Sequence, residues 1–168
     1  MKTLFVLRHA KSSWENSDLS DFERPLNSRG LDAARFIGGL IYKRNLQPQI
    51  IISSPAKRAK QTAVLVKELA EISKPITFDE RIYEASPLTL FNLISEFDEK
   101  HESVLLVGHN PGFENLVRML TGETVSLPTA GLAKINLNIE SWHELNADSN
   151  KLEFLIRPKE EMKKSETD

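Results

Sequence analysis

Two arginines and two histidines stand in three short segments, each directly after an apolar run: Arg8-His9, Arg58 after Ser53-Ser54, and His109 after Gly108. Gathered at one place they would form a cationic cluster that is costly unless an anion neutralises it. A guanidinium presents a planar fork to two oxygens, and two of them can bracket the equatorial oxygens of a phosphoryl group as charge moves onto them. Helices starting near Pro55 and Pro111 would add backbone N–H groups and positive dipole ends. A phosphoryl group is the ligand this set suits best. An imidazole nitrogen is also a competent nucleophile at neutral pH, and would form a phosphohistidine that water then attacks. His9 fits the nucleophile because Arg8 opens the loop directly at the strand end. His109 then serves as a donor to the phosphoryl oxygens.

The elements that must carry these residues can be read from hydrophobic period. Thr3–Leu7, Gln49–Ser53 and Ser103–Val107 are short β-rich runs without polar alternation, as expected of strands covered on both faces. Helical spacing runs through Leu31, Ala34, Phe36, Ile37, Leu40 and Ile41, with Asn27 or Ser28 as cap; paired Gly38-Gly39 weakens that helix or marks close packing. Ser54-Pro55 and Ser86-Pro87 both read as a cap followed by a first-turn proline, and another helix ends near Gly122. Strand, turn and helix recurring in order predict an α/β fold of three layers, α/β/α, with a mostly parallel central sheet. Ala133–Ile139 and Leu152–Arg157 are expected as an antiparallel hairpin at one edge. Ligands of such a sheet bind outside the carboxyl ends of its strands, which is where all three segments fall. A single domain over residues 1–157 is expected, followed by a charged, disordered tail over 158–168.

Composition narrows the function further. A net charge of -2 over 168 residues gives no general attraction to nucleic acid or an anionic membrane. No apolar stretch is long enough to span a bilayer. There is no cysteine, which excludes thiolate nucleophiles, disulfides and zinc–cysteine sites and makes the cytoplasm the expected compartment.

The same segments carry a resemblance. Leu7-Arg8-His9-Ala10, with Lys11-Ser12-Ser13-Trp14 after it, resembles the Arg-His-Gly signature of the histidine phosphatase superfamily (the phosphoglycerate mutase-like fold), in the variant form of SixA-like phosphohistidine phosphatases. Arg24–Gly30 is similar to the family's segment before its first helix, Ser53–Thr62 to its second-arginine motif, and Val107–Pro111 to its second-histidine motif. Three motifs in this order form a specific signal where one tetrapeptide would not. The resemblance implies a phosphorylated His9, with Arg8, Arg58 and His109 binding the phosphoryl group. Ser12 falls where larger relatives use a loop residue to hold phosphate, and Glu15 where they often have asparagine. The implied proton donor is Glu80, with Glu84 a weaker match. No cofactor is implied. The substrates implied are a phosphorylated protein such as a histidine phosphotransfer domain, or a small phosphate compound, taken through a mouth left open by the lack of long insertions.

Three other readings compete. A zinc site built on His9 and His109 is disfavoured by the flanking arginines, since cations raise the cost of placing a divalent ion. A broad small-molecule phosphomonoesterase of the same superfamily would use the same residues on esters. A phosphoprotein-binding module without turnover would keep the pocket and form no covalent intermediate. Trp14 is expected to pin its loop, and His101 and His143, in charged surroundings, are expected at the surface.

Overall fold

The computed structural model describes residues 1–167, with the side chain of Thr167 left aside. Six strands form one sheet: β1 (Lys2–Arg8), β2 (Ile50–Ser53), β3 (Thr77–Phe78), β4 (Ser103–Gly108), β5 (Leu132–Leu137) and β6 (Lys151–Ile156). Their order is β3-β2-β4-β1-β5-β6. The first four are mutually parallel, whereas β5 runs antiparallel to β1 and to β6, giving the antiparallel edge. Both expectations of the sheet are met.

Four helices cover its two faces, α1 (Ser28–Lys43), α2 (Lys57–Ala70), α3 (Pro87–Ser95) and α4 (Gly112–Thr121), and a fifth, α5 (Pro158–Thr167), lies against α1. The unbroken apolar runs explain the layering, because successive side chains of a strand point to opposite faces. Leu4 and Val6 of β1, with Val104 and Leu106 of β4, pack with α3 and α4, whereas Phe5, Leu7, Leu105 and Val107 pack with α1 and α2.

On α1 the buried positions are Gly30, Ala34, Ile37, Gly38 and Ile41, one face at helical period, and the Asn27 side chain caps the helix by accepting from Gly30 N–H. Gly38 marks close packing. A β-carbon there would lie 2.8 Å from Cβ of Leu69 and 3.0 Å from Cα of Val66, so α1 meets the backbone of α2 directly. Ser86 caps α3 by accepting from Thr89 N–H, with Pro87 in the first turn, and Gly122, at φ 77°, ends α4 in the left-handed conformation.

Three local expectations are corrected. Ser54 does not cap α2; that helix starts at Lys57, its N-cap is Ala56, and Ser54 is used elsewhere. The tail expected to be disordered is helical over Pro158–Thr167, and residue 168 lies outside the described residues. Glu160 and Glu161 sit in the first turn of α5 and Lys164 in its last, which suits the helix dipole, and Glu161 pairs at 2.9 Å with Arg44, the residue that follows α1. Composition misled here because the helix needs only Pro158 buried and Glu161 and Met162 half-buried against the domain. His101, expected at the surface, is buried: its carbonyl accepts from Trp142 Nε1 at 2.8 Å and from Lys2 Nζ at 3.2 Å, while His143 is exposed.

Candidate active site

The carboxyl ends of β1, β2 and β4 are tied together by backbone bonds that continue the pairing beyond the ladder. His9 N–H donates to Gly108 O at 2.9 Å, and Ser54 N–H donates to Val107 O at 2.9 Å. Ala130 N–H donates to the carbonyls of Arg8 (3.0 Å) and His9 (3.1 Å), which fixes the loop after β1 against the turn before β5. Ala10 N–H donates to Thr62 Oγ1, whose hydroxyl donates to Arg58 O, so the loop that follows His9 is clamped to the helical turn that presents Arg58. Gly108 allows this convergence, since a β-carbon there would sit 2.6 Å from the Phe113 ring and 2.7 Å from Ile82.

Within this frame the rings of His9 and His109 stand 5.2 Å apart. His9, Arg58 and His109 are all buried, and Arg8 is half-buried. Nδ1 of His9 lies 2.7 Å from the carbonyl of Ala10. A carbonyl only accepts, so Nδ1 carries the proton and Nε2 presents its lone pair. Burial pushes the His9 pKa down to about 4 against the raising effect of the Ala10 bond, and the charges of Arg58, Arg8 and Arg24 add smaller lowering effects. His109 is pushed down to about 3 by burial, then by His9 and Arg58. Both rings are therefore neutral at neutral pH.

Nε2 of His109 is 2.7 Å from Ser54 Oγ, and Ser54 Oγ already accepts from Ala56 N–H at 3.2 Å. The Ser54 hydroxyl has no other acceptor among the described residues, so its proton goes to His109 Nε2, which leaves the ring proton on Nδ1. That Nδ1 and Arg8 Nε are, among the described residues, the two buried side-chain nitrogens without a hydrogen-bond partner. Arg8 is otherwise held by one bond from Nη1 to Leu127 O at 3.2 Å, and burial lowers its pKa from the usual value. Two unsatisfied buried donors in one cationic cluster are what an anion-binding pocket requires.

The cluster has members that the sequence reading missed. Asp21, on a single 3₁₀ turn (Asp21–Glu23), accepts from Arg58 Nη2 at 3.0 Å, from Arg24 Nη1 at 3.0 Å and from the Tyr83 hydroxyl at 2.6 Å. Tyr83 meets the His109 ring edge-on at 5.5 Å. Ser54 was read only as a cap. None of these contacts follows a period; the one signal available was the polar density of residues 12–24.

The other candidates are placed as follows. Ser12 accepts from Arg24 Nη2 and is tied to the cluster through that arginine. Arg24 also stacks on Trp14 with its guanidinium carbon 3.2 Å from the ring centroid; Trp14 is 77 % exposed, so it holds the loop by one face and turns the rest to solvent. Glu80 is exposed on a 3₁₀ turn (Glu80–Ile82), and among the described residues its side chain makes no hydrogen bond or ion pair. Glu84 is exposed, at φ 54°, next to Tyr83. Among the described residues no three His, Asp or Glu side chains are grouped so as to hold a metal ion, and no helix is long and apolar enough to cross a membrane.

Residues 4–89 match the profile of the histidine phosphatase superfamily (branch 1). An uncharacterized chloroplastic protein of Arabidopsis thaliana is 30% identical over 94% of this chain and 78% of its own length. Phosphohistidine phosphatase SixA of Escherichia coli is 27% identical over 80% of this chain and 85% of its own. A solved structure from Agrobacterium tumefaciens, assigned as a phosphohistidine phosphatase SixA, superposes with a TM-score of 0.81 at 29% identity, covering 94% of this chain and 98% of that one. The fold is shared with a protein histidine phosphatase SixA solved with tungstate, at a TM-score of 0.82 and 21% identity over 94% and 98% of the two chains. A six-stranded α/β fold with two buried histidines between arginines at its strand ends is thus found in a chain that belongs to the histidine phosphatase superfamily.

Proposed function

We propose that this protein is a phosphohistidine phosphatase, acting in the cytoplasm as one unit over residues 1–157, in which His9 is the nucleophile. The observation that carries the reading is the pairing of the two buried rings, 5.2 Å apart between centroids: His9 turns Nδ1 to the Ala10 carbonyl and so leaves Nε2 to attack, and His109 Nδ1 has no hydrogen-bond partner among the described residues. The Nε2 lone pair attacks phosphorus, and the bond to the leaving group breaks with its electron pair going to that group. Arg8, Arg58 and the His109 N–H take up the charge on the equatorial oxygens. Water then attacks the phosphohistidine, and the P–N electron pair returns to His9 as inorganic phosphate departs. Ser12 reaches the phosphoryl group from the side of Arg24.

Phosphohistidine is favoured because, among the described residues, the cluster holds no poised acid. Asp21 is held down to about 2, chiefly by the Tyr83 hydrogen bond and then by Arg58 and Arg24, and so has no proton to give at neutral pH. Burial and Asp21 push Tyr83 up to about 12, and its proton is already donated to Asp21. Glu80, the matched donor of larger relatives, is exposed and unbonded among the described residues. An alkoxide leaving group needs an enzymic proton, whereas an imidazole is readily protonated from solvent, and transfer between histidine nitrogens is nearly balanced in energy. The partner on this reading is a phosphorylated protein such as a histidine phosphotransfer domain.

The test is brief exposure of the protein to a labelled phosphohistidine protein, a phosphoramidate and a panel of phosphate esters. Acid-labile, alkali-stable label on His9, absent from His9→Ala, is expected, with turnover highest on the phosphohistidine protein. Turnover by His9→Ala at the native rate would refute the mechanism. Faster turnover of alkyl esters would overturn the substrate assignment.

A further inference from the structure

We propose that Asp21 is a positioning residue of the phosphoryl site, holding Arg58, Arg24 and Tyr83 in the arrangement that receives the phosphoryl group; this rests on the role given to His9. Of the five N–H donors of Arg58, two are committed to this one residue: Nη1 donates to the Asp21 carbonyl at 2.6 Å and Nη2 to Oδ2 at 3.0 Å. Three donors are left for an incoming anion. Oδ2 also accepts from the Tyr83 hydroxyl, and Oδ1 accepts from Arg24 Nη1. A single residue on an exposed turn thereby joins α2, the turn that carries Tyr83, and the loop arginine bound to Ser12.

The consequence for catalysis follows from what an arginine costs to order. Its side chain loses rotamer freedom when fixed, and fixing it before the ligand arrives removes that cost from the reaction. Tyr83, held at its hydroxyl by Asp21, in turn buttresses the His109 ring at 5.5 Å. The same carboxylate offsets part of the guanidinium charge, which weakens ground-state attraction for any phosphate dianion, including the product. Orientation therefore serves the transition state while the charge works against tight product binding. Loss of Asp21 is expected to separate these two effects. Its side chain is 48% exposed and lies outside both hydrophobic clusters, so replacing it leaves the core untouched.

The experiment compares the native protein with Asp21→Asn and Asp21→Glu, using p-nitrophenyl phosphate turnover, inhibition by inorganic phosphate, and calorimetric binding of phosphate alone. For Asp21→Asn we expect kcat to fall about tenfold, a misplacement effect, while phosphate binds about twofold to fivefold more tightly. Asp21→Glu, which keeps two carboxylate oxygens to accept from Arg58, Arg24 and Tyr83, should recover most of kcat. Unchanged kcat in Asp21→Asn overturns the proposal, as does a change confined to KM. Equal loss of kcat and phosphate affinity, not recovered by Asp21→Glu, also overturns it, because that pattern is general damage. Calorimetry needs no turnover. Absence of a label on His9 together with the shift in phosphate affinity would refute the assigned nucleophile while leaving Asp21 coupled to the anion site.

Discussion

His109 and Ser54 are joined by a 2.7 Å bond between Nε2 and Oγ, across 55 positions of sequence. This bond decides which ring nitrogen of His109 faces an anion as a donor. Replacing Ser54 by Ala frees the ring to adopt the other tautomer and strands Ala56 N–H. We expect kcat/KM to fall about tenfold, equivalent to ~1.4 kcal/mol of transition-state stabilisation, with inorganic phosphate binding weakened alongside. Nitrogen NMR of the His109 ring reads the tautomer directly, and an unchanged spectrum in Ser54→Ala would show that the hydroxyl does not set it.

Acid should act on stability before it acts on the proposed nucleophile, His9. The folded pKa values of His9 and His109, about 4 and about 3, lie below the ordinary value of 6.5. As pH falls below 6.5 the unfolded chain takes up protons at these two positions that the folded chain does not. The stability present above pH 6.5 is therefore lost progressively toward pH 4, by at most about 1.4 kcal/mol per pH unit for each ring. Urea titrations between pH 4.5 and 7.5 measure this slope, and a flat profile would contradict it. In the same range His9 keeps its lone pair, so the acid limb of kcat/KM, corrected for titration of the substrate, should lie nearer pH 4 than 6.5.

Glu80→Gln should leave turnover of a phosphohistidine protein and of an aryl phosphate within about twofold of native, because exposed groups without partners rarely contribute more. A large loss confined to alkyl phosphates would identify Glu80 as a proton donor reached only in the complex.

Gly38→Ala should destabilise the fold by about 1–3 kcal/mol, since the new methyl must displace Leu69 or the backbone at Val66. Gly39→Ala is the control, as nothing lies within 4 Å of its β-carbon and the helix gains propensity. Chemical denaturation of both variants measures the difference.

The sequence by itself determined the layered architecture and the location of the cluster. Unbroken apolar runs such as Val104–Val107 specify strands covered on both faces, and parallel strands bring the residues that follow them to one edge. Arg8, His9, Arg58 and His109 were legible for that reason: each sits at a fixed distance beyond a local hydrophobic pattern. Only the tertiary structure decided how those residues are protonated and oriented. The Asp21 bonds to Arg58 and Tyr83 span 37 and 62 positions, and the Ser54 bond to His109 spans 55. Polar partners so far apart leave no period in the chain, and burial, which holds both imidazoles neutral, exists only once the two hydrophobic layers have closed around the sheet.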